Sequence, residues 1–185
     1  MIKIRVLFLL MMVLALVVSG AVCESPPPGP MRCIDFEDLG LGTTYNCCGV
    51  SFHPPGYTVK TKDFQYSDGT WTNNGYAKVD NAGKAGGSGQ DMQVNNINLD
   101  FNFGGPVKSL TLYYGEYGGN LNIDINGDFK NFNDFTDIHG TTIGGVSVSV
   151  TTLGHDMGKL KLLGNTTVFI IGGQELWIDN VCPSR

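Results

Sequence analysis

Helix-forming runs are nearly missing from this 185-residue chain, basic residues are scarce, and beyond position 18 no long apolar stretch occurs. Without a helical period, strands must build the fold. Lys and Arg total 12 against 17 Asp and Glu. With Lys3 and Arg5 set aside as part of a leader, ten basic residues face seventeen acidic ones, a formal charge of −7 with histidine neutral. That balance excludes nucleic acid as a natural partner. The three histidines, His53, His139 and His155, lie in separate segments, and no Cys-x-x-Cys spacing exists, so a zinc site has no framework. Walker, dinucleotide and His-Glu-x-x-His patterns are absent, and Gly-Gly-Ser-Gly-Gln at 86–90 lacks the closing glycine of a nucleophile elbow. No catalytic template is present, and the chain is read as non-enzymatic.

What is present begins with a leader. Lys3 and Arg5 precede an apolar run over 6–18 and the small residues Ser19, Gly20 and Ala21, the pattern of a secretory signal peptide, placed at 1–23. The run is too short to span a bilayer comfortably, so the mature protein is expected outside the cytoplasm without a transmembrane segment. Cleavage after Ala21 would keep Cys23, and cleavage after Cys23 would remove it. A lipid on Cys23 suits the site poorly, because Val22 is bulkier than the small residue that usually precedes a lipidated cysteine. Five cysteines in an exported chain read first as disulfides. Adjacent Cys47 and Cys48 on a strand would point to opposite faces and are not expected to bond each other.

Residues 24–30, with Pro26-Pro27-Pro28-Gly29-Pro30, read as an extended tether. One domain follows over 31–182, with a short tail at 183–185. Its β-rich runs are punctuated by Gly, Asn and Asp, and the clearest lie at 45–52, 76–80, 91–94, 97–103, 108–114, 121–125, 146–151, 159–163, 167–171 and 176–181. Leu121, Ile123 and Ile125 alternate with Asn120, Asn122 and Asp124, and Asn126-Gly127 signals a tight turn. Val146, Val148 and Val150 alternate with Ser147, Ser149 and Thr151. Strands dry on one side and wet on the other predict an all-β, antiparallel two-sheet β-sandwich of jelly-roll type. The glycine-rich stretch 81–90 is expected to be a flexible loop.

Both ends of the domain pair acidic residues with a cysteine: Cys33-Ile34-Asp35-Phe36-Glu37-Asp38 opens it and Glu175-Leu176-Trp177-Ile178-Asp179-Asn180-Val181-Cys182 closes it. First and last strands are therefore expected to meet, with Cys33 bonded to Cys182. These segments resemble the terminal strands of carbohydrate-binding-module jelly rolls of the galactose-binding-like type, and equally those of secreted bacterial and archaeal β-sandwich proteins that share such ends. The resemblance implies a structural calcium on Glu37 and Asp179, assisted by Asp35 or Asp38, through hard carboxylate oxygens. Strict alternation separates Asp179 from Cys182, and a bulge or a strand end between them would reconcile bridge and ion. Asp124-x-Asn126-Gly127-Asp128 superficially resembles a calcium loop, but Phe129 and Phe135 occupy positions that need glycine and glutamate, and a hairpin explains it better.

Glycoside hydrolysis needs only two carboxylates. Glu175 and Asp179 would lie roughly 13 Å apart on one strand face, too far, whereas Asp35 and Glu37 would lie about 6.6 Å apart, within range for an inverting pair. Their place at the start of the domain favours an ion site. A binding surface is read from Tyr113 and Tyr117, expected beside Asn122 and Asp124 of the next strand, where rings would cover a sugar face and polar groups its hydroxyls. Ordinary strand tyrosines on a wet face fit the same residues. Trp71 and Tyr76, flanking Asn73-Asn74-Gly75, form a second aromatic candidate, and Trp177 is assigned to the core. Asn165-Thr166-Thr167 is a glycosylation sequon. The leading expectation is a secreted lectin-like domain for a neutral or weakly basic glycan or polysaccharide. A structural or adhesive surface protein with a protein partner is the second, and a hydrolase the third.

Overall fold

The structure, a computed structural model, describes residues 31–185. The signal peptide and tether expected over 1–23 and 24–30 lie outside the described residues. Within the described residues, no helix is long and apolar enough to cross a membrane.

Sixteen strands follow one another: β1 (Thr44–Asn46), β2 (Ser51–Phe52), β3 (Thr58–Lys62), β4 (Phe64–Gln65), β5 (Trp71–Thr72), β6 (Tyr76–Asp80), β7 (Asp91–Asn95), β8 (Ile97–Asn102), β9 (Val107–Glu116), β10 (Leu121–Ile125), β11 (Asp128–Phe132), β12 (Thr142–Ile143), β13 (Val146–Gly154), β14 (Met157–Thr166), β15 (Phe169–Gly173) and β16 (Leu176–Ser184). A single 3₁₀ turn, Phe135–Ile138, interrupts them, capped by Asp134, which accepts from the Thr136 amide. An eight-stranded sheet orders β1-β6-β7-β16-β9-β14-β13-β12, and a six-stranded sheet orders β11-β10-β15-β8-β3-β2. Consecutive strands β7 to β10 alternate between the sheets, and β15 and β16 insert between them, so the central orders are 7-16-9-14 and 8-15-10-11. This is the double Greek key of a jelly roll.

The core lies between the sheets and follows the alternation in the sequence. Leu121, Ile123 and Ile125 are fully buried against Leu110, Leu112, Leu160 and Leu162 of the opposite sheet. Each such side chain stabilises the fold by about 1.5–3 kcal/mol. Trp177 is buried at 4% exposure, as assigned. The Asn126-Gly127 turn has both residues at positive φ, 55° and 86°, and joins β10 to β11 as a two-residue hairpin.

The chain ends meet. Ile34 bridges Val181 in antiparallel fashion, Cys33 and Cys182 form a disulfide, and the β16 register shifts between Asp179 and Cys182 with Asn180 at φ 49°. Such a bulge is therefore present. The expectation for Cys47 and Cys48 is overturned: they form a disulfide with each other. The opposite-face argument assumed an extended strand over 45–52, but the chain turns at 47–50 between β1 and β2, and the Cys47-Cys48 peptide is cis.

Candidate functional site

The outer face of the six-stranded sheet carries two polar rows fixed by strand register. One runs Lys60, Asp100, Ile170, Asp124, Phe129, and the other runs Lys62, Asn98, Gly172, Asn122, Asn131. Lys62 pairs with Asp100 at 2.9 Å. The β4–β5 hairpin folds over part of this face as a roof. Asn98 donates through Nδ2 to the Asp63 carbonyl at 2.5 Å, and Asn131 donates through Nδ2 to the Gln65 carbonyl at 3.0 Å. Phe64 under the hairpin is fully buried. At the far end, Thr70 donates amide and hydroxyl to Asp68 Oδ1, and these bonds hold the Asp68 carboxyl below its usual range.

Beside the roof lies an open cleft of about 500 Å³, within the usual range for small-ligand sites. Its floor combines Lys60, Lys62, Asn98, Ile170 and Asp124, and its rims are Trp71 on one side and Cys48 and Gly49 on another. Trp71 is 56% exposed and leans on Phe129 at 5.8 Å between ring centroids. The opposite rim is held by Thr61, whose hydroxyl donates to the Asn46 carbonyl and accepts from the Val50 amide, while its carbonyl takes the Gly49 amide at 2.8 Å. Asp124 uses Oδ1 to accept from the Gly127 amide at 2.8 Å.

Two amides in this floor are incompletely paired. Asn98 Oδ1 and Asn122 Nδ2 are buried and have no hydrogen-bond partner among the described residues. They flank Gly172, which has no side chain because any Cβ there would collide with the Asn98 amide and the Ile97 carbonyl. A buried amide group left unpaired costs about 1–3 kcal/mol, and Asn98 lines the cleft.

The predicted binding set is divided by the fold. Trp71 and Asp124 meet in this cleft. Asn122 lies beneath the roof, fully buried, accepting from Asn131 Nδ2 at 2.8 Å. Tyr113 and Tyr117 do not join them, which corrects the expected shared face: β9 belongs to the eight-stranded sheet and β10 to the six-stranded one. The link between them crosses from sheet to sheet instead of forming a hairpin. Gly118 in that link packs directly against Glu175, with no room for a Cβ. Tyr113 lies between Lys159 and Asp179 in register, with the Lys159 ammonium 5.1 Å from its ring. Tyr117 donates its hydroxyl to the Lys84 carbonyl at 3.0 Å and packs edge-on against Trp177. Tyr76 is half-buried on β6, paired with Asn46 and Asn95. Asn165 is exposed near the end of β14.

The acidic corner anticipated for calcium is organised around backbone amides. Asp179, 1% exposed, accepts from the Ser88 amide at 3.1 Å and from Asn180 through both its amide and Nδ2. Glu37 accepts from the Gln90 amide, and Asp91 accepts from the amides of Lys84 and Ala85. Three carboxylates therefore pin the 84–90 loop, which is not the free loop its glycines suggested. Gly87 and Gly89 are required there, since a Cβ on either would strike the Asp179 or Glu37 carboxylate. Burial raises the Asp179 carboxyl to about 6, with Asp91 and Asp35 adding to it. Asp35 accepts from the Glu37 amide at 3.3 Å, and Asp38 is exposed. Ligands of one calcium lie at most about 5 Å apart. Among the described residues, the one grouping of three His, Cys, Asp or Glu ligand atoms within 4.8 Å is Cys47, Cys48 and Asp63, whose sulfurs are tied in a disulfide. Glu37, Asp179, Asp35 and Asp38 do not form such a grouping.

A second carboxyl site escaped the sequence reading. Burial raises Glu116 at the end of β9 to about 8, although the Phe135 amide donates to it at 3.0 Å. Asp134 beside it is held low by the hydroxyl and amide of Thr136. Asp134 stands near enough to add to the rise of Glu116.

Comparisons of this chain with family models, with curated proteins and with solved structures return no match.

Proposed function

We propose that the protein is a non-catalytic carbohydrate-binding domain and that the roofed cleft, not the tyrosine face of the other sheet, is its site. The observation that carries this reading is the exposed indole of Trp71 beside a polar floor of Lys60, Asn98 and Asp124. An indole face suits the apolar face of a pyranose, and Asp124, Asn98 and Lys60 offer acceptors and a donor for its hydroxyls. From Lys60 on β3 to Asp124 on β10 is three strand spacings, roughly 14 Å, long enough for more than one sugar unit. Lys60 and Lys62 face Asp63, Asp100 and Asp124, so the cleft has no strong charge of one sign, which favours a neutral glycan. The leader read over 1–23 supports an extracytoplasmic setting for this activity.

The test is a glycan array, with a pull-down on insoluble polysaccharides, using the folded mature domain and its Trp71→Ala variant. Binding by the parent and loss in the variant is the expected result. An empty array and an empty pull-down for the folded parent would transfer preference to an adhesive surface protein.

A further inference from the structure

The chain has three arginines, and the two among the described residues, Arg32 and Arg185, line the same cleft at one end of the sandwich. We infer that this cleft is a second binding site, specific for an oxyanion (carboxylate, sulfate or phosphate) carried next to an apolar surface.

The cleft measures about 400 Å³ and is walled by Met31, Pro55, Tyr57 and Phe103 in addition to the arginines. Tyr57 organises it. Its hydroxyl donates to the Arg32 carbonyl at 2.6 Å, and its ring meets Phe103 edge-on at 5.8 Å. Arg185 donates through Nη2 to the Phe103 carbonyl at 3.2 Å and lies close over Gly104 and Gly105, where a Cβ would stand 3.9 and 3.5 Å from that nitrogen. One nitrogen thus anchors the guanidinium, and its other N–H groups are left for a ligand. Neither arginine has a carboxylate within 4 Å among the described residues. Asp35 and Asp38 line a neighbouring cleft that Arg32 and Pro55 also line, and among the described residues neither forms an ion pair with Arg32.

In a domain of net negative charge, gathering both guanidiniums at one aromatic cleft is poor design for anything but a local anion. Guanidinium groups bind carboxylate, sulfate and phosphate through paired, directional N–H donors. Tyr57, Phe103 and Pro55 add an apolar wall for the body that bears the anion. The cleft shares no lining residue with the Trp71 site, so the inference stands independently of the glycan proposal.

The test is amide and arginine-side-chain NMR of the mature protein titrated with sodium sulfate, sodium phosphate and sodium glucuronate, against sodium chloride at matched ionic strength. Saturable shifts at Tyr57, Gly104, Gly105 and Arg185 are expected. Arg32→Gln with Arg185→Gln should weaken them about tenfold or more, as loss of charge-assisted hydrogen bonds implies. Tighter binding of glucuronate than of sulfate identifies an acidic group on a sugar ring, and equal binding identifies the bare anion; either supports the site. Shifts no larger than those with chloride, shifts unchanged in the double variant, or shifts abolished by Trp71→Ala would overturn it. The exposed positions of both arginines keep the double variant folded, which its unchanged core methyl spectrum would verify.

Discussion

On its outer side, β9 of the eight-stranded sheet presents Thr111 and Tyr113 beside Lys159 and Lys161, while β10 of the six-stranded sheet presents Asn122 and Asp124 in rows that run across β15 to Asn98 and Lys62 and to Asp100 and Lys60. Both faces have a basic stripe, polar side chains and an aromatic ring within reach. On the eight-stranded face, Tyr113 is engaged by Lys159 and no hairpin stands above it. On the six-stranded face, the β4–β5 hairpin creates depth, removes water from Asn98 and Asn122, and holds Trp71 at the rim. Composition alone does not make a sheet face a site. Concavity does, and it comes from a thirteen-residue excursion between β3 and β6.

The largest expected effect tests which face binds. Trp71→Ala should lower affinity for a glycan found on the array by at least about tenfold, since stacked aromatics often supply a binding hot spot. Tyr113→Ala should leave it within about twofold. Calorimetric titration of both variants checks the contrast, and the reverse pattern would return the site to the tyrosine face.

Next in size is a difference in tolerance. Gly172→Ala forces a Cβ into the Asn98 amide and the Ile97 carbonyl and should cost roughly 2–3 kcal/mol in urea unfolding, the scale of an overpacked interior. Ser149→Ala, on the wet face of β13, should fall within about 0.5 kcal/mol of the parent. Equal costs would mean that the six-stranded face is no more tightly built than the other.

Much of this frame was legible in the residues. Alternation in β10 and β13 gave the inward faces, Asn126-Gly127 gave its hairpin, and the matching cysteine ends gave the Cys33–Cys182 bridge and the bulge beside it. The site was half legible. Trp71 and Asp124 were both singled out, but as members of different patches, because their contact depends on a hairpin whose strands are two residues each and carry no periodic signal. Tyr113 and Tyr117 were joined to Asn122 and Asp124 by assuming that consecutive strands are neighbours, which a jelly roll violates at this link. Cys47 and Cys48 were misread for a similar reason, since a local turn cancelled the alternation on which the reading depended. The Gly-rich 81–90 stretch advertised freedom in sequence, whereas its glycines serve close approach of Asp179 and Glu37.

The two sheets also differ in what titrates. Glu116 on β9 and Asp179 on β16 belong to the eight-stranded sheet, and burial raises them to about 8 and about 6. Their ordinary values are 4.5 and 3.8, so between about pH 4.5 and 8 the folded state holds protons that the unfolded chain has released. Stability is then fully present below the unfolded values and declines as pH rises through the folded ones. Melting temperature should drop by about 5 °C between pH 5 and pH 8. Glu116→Gln should flatten most of that slope, because it removes the titrating carboxyl while the amide oxygen can still accept from the Phe135 amide. A slope of opposite sign, or one unchanged by the substitution, would contradict the assignment, and glycan affinity measured over the same range should vary less than stability does.

The smallest expected effect concerns the corner where both chain ends meet. A calcium ion held by Glu37 and Asp179 would have to take carboxylate oxygens that now accept from Ser88, Gln90 and Asn180. Those bonds close the 84–90 loop without an ion, and among the described residues no three carboxylates of this corner bring oxygens within 4.8 Å of one another. Melts of the mature domain in millimolar calcium and in chelator, at pH 7, should therefore coincide. Asp179→Asn should lower both equally, by loosening the loop that the buried carboxylate anchors. A melt raised by calcium in the parent but not in Asp179→Asn would show that the ion displaces these amides. It would also restore the calcium assignment made from the terminal segments, and the eight-stranded sheet would then gain a ligand of its own.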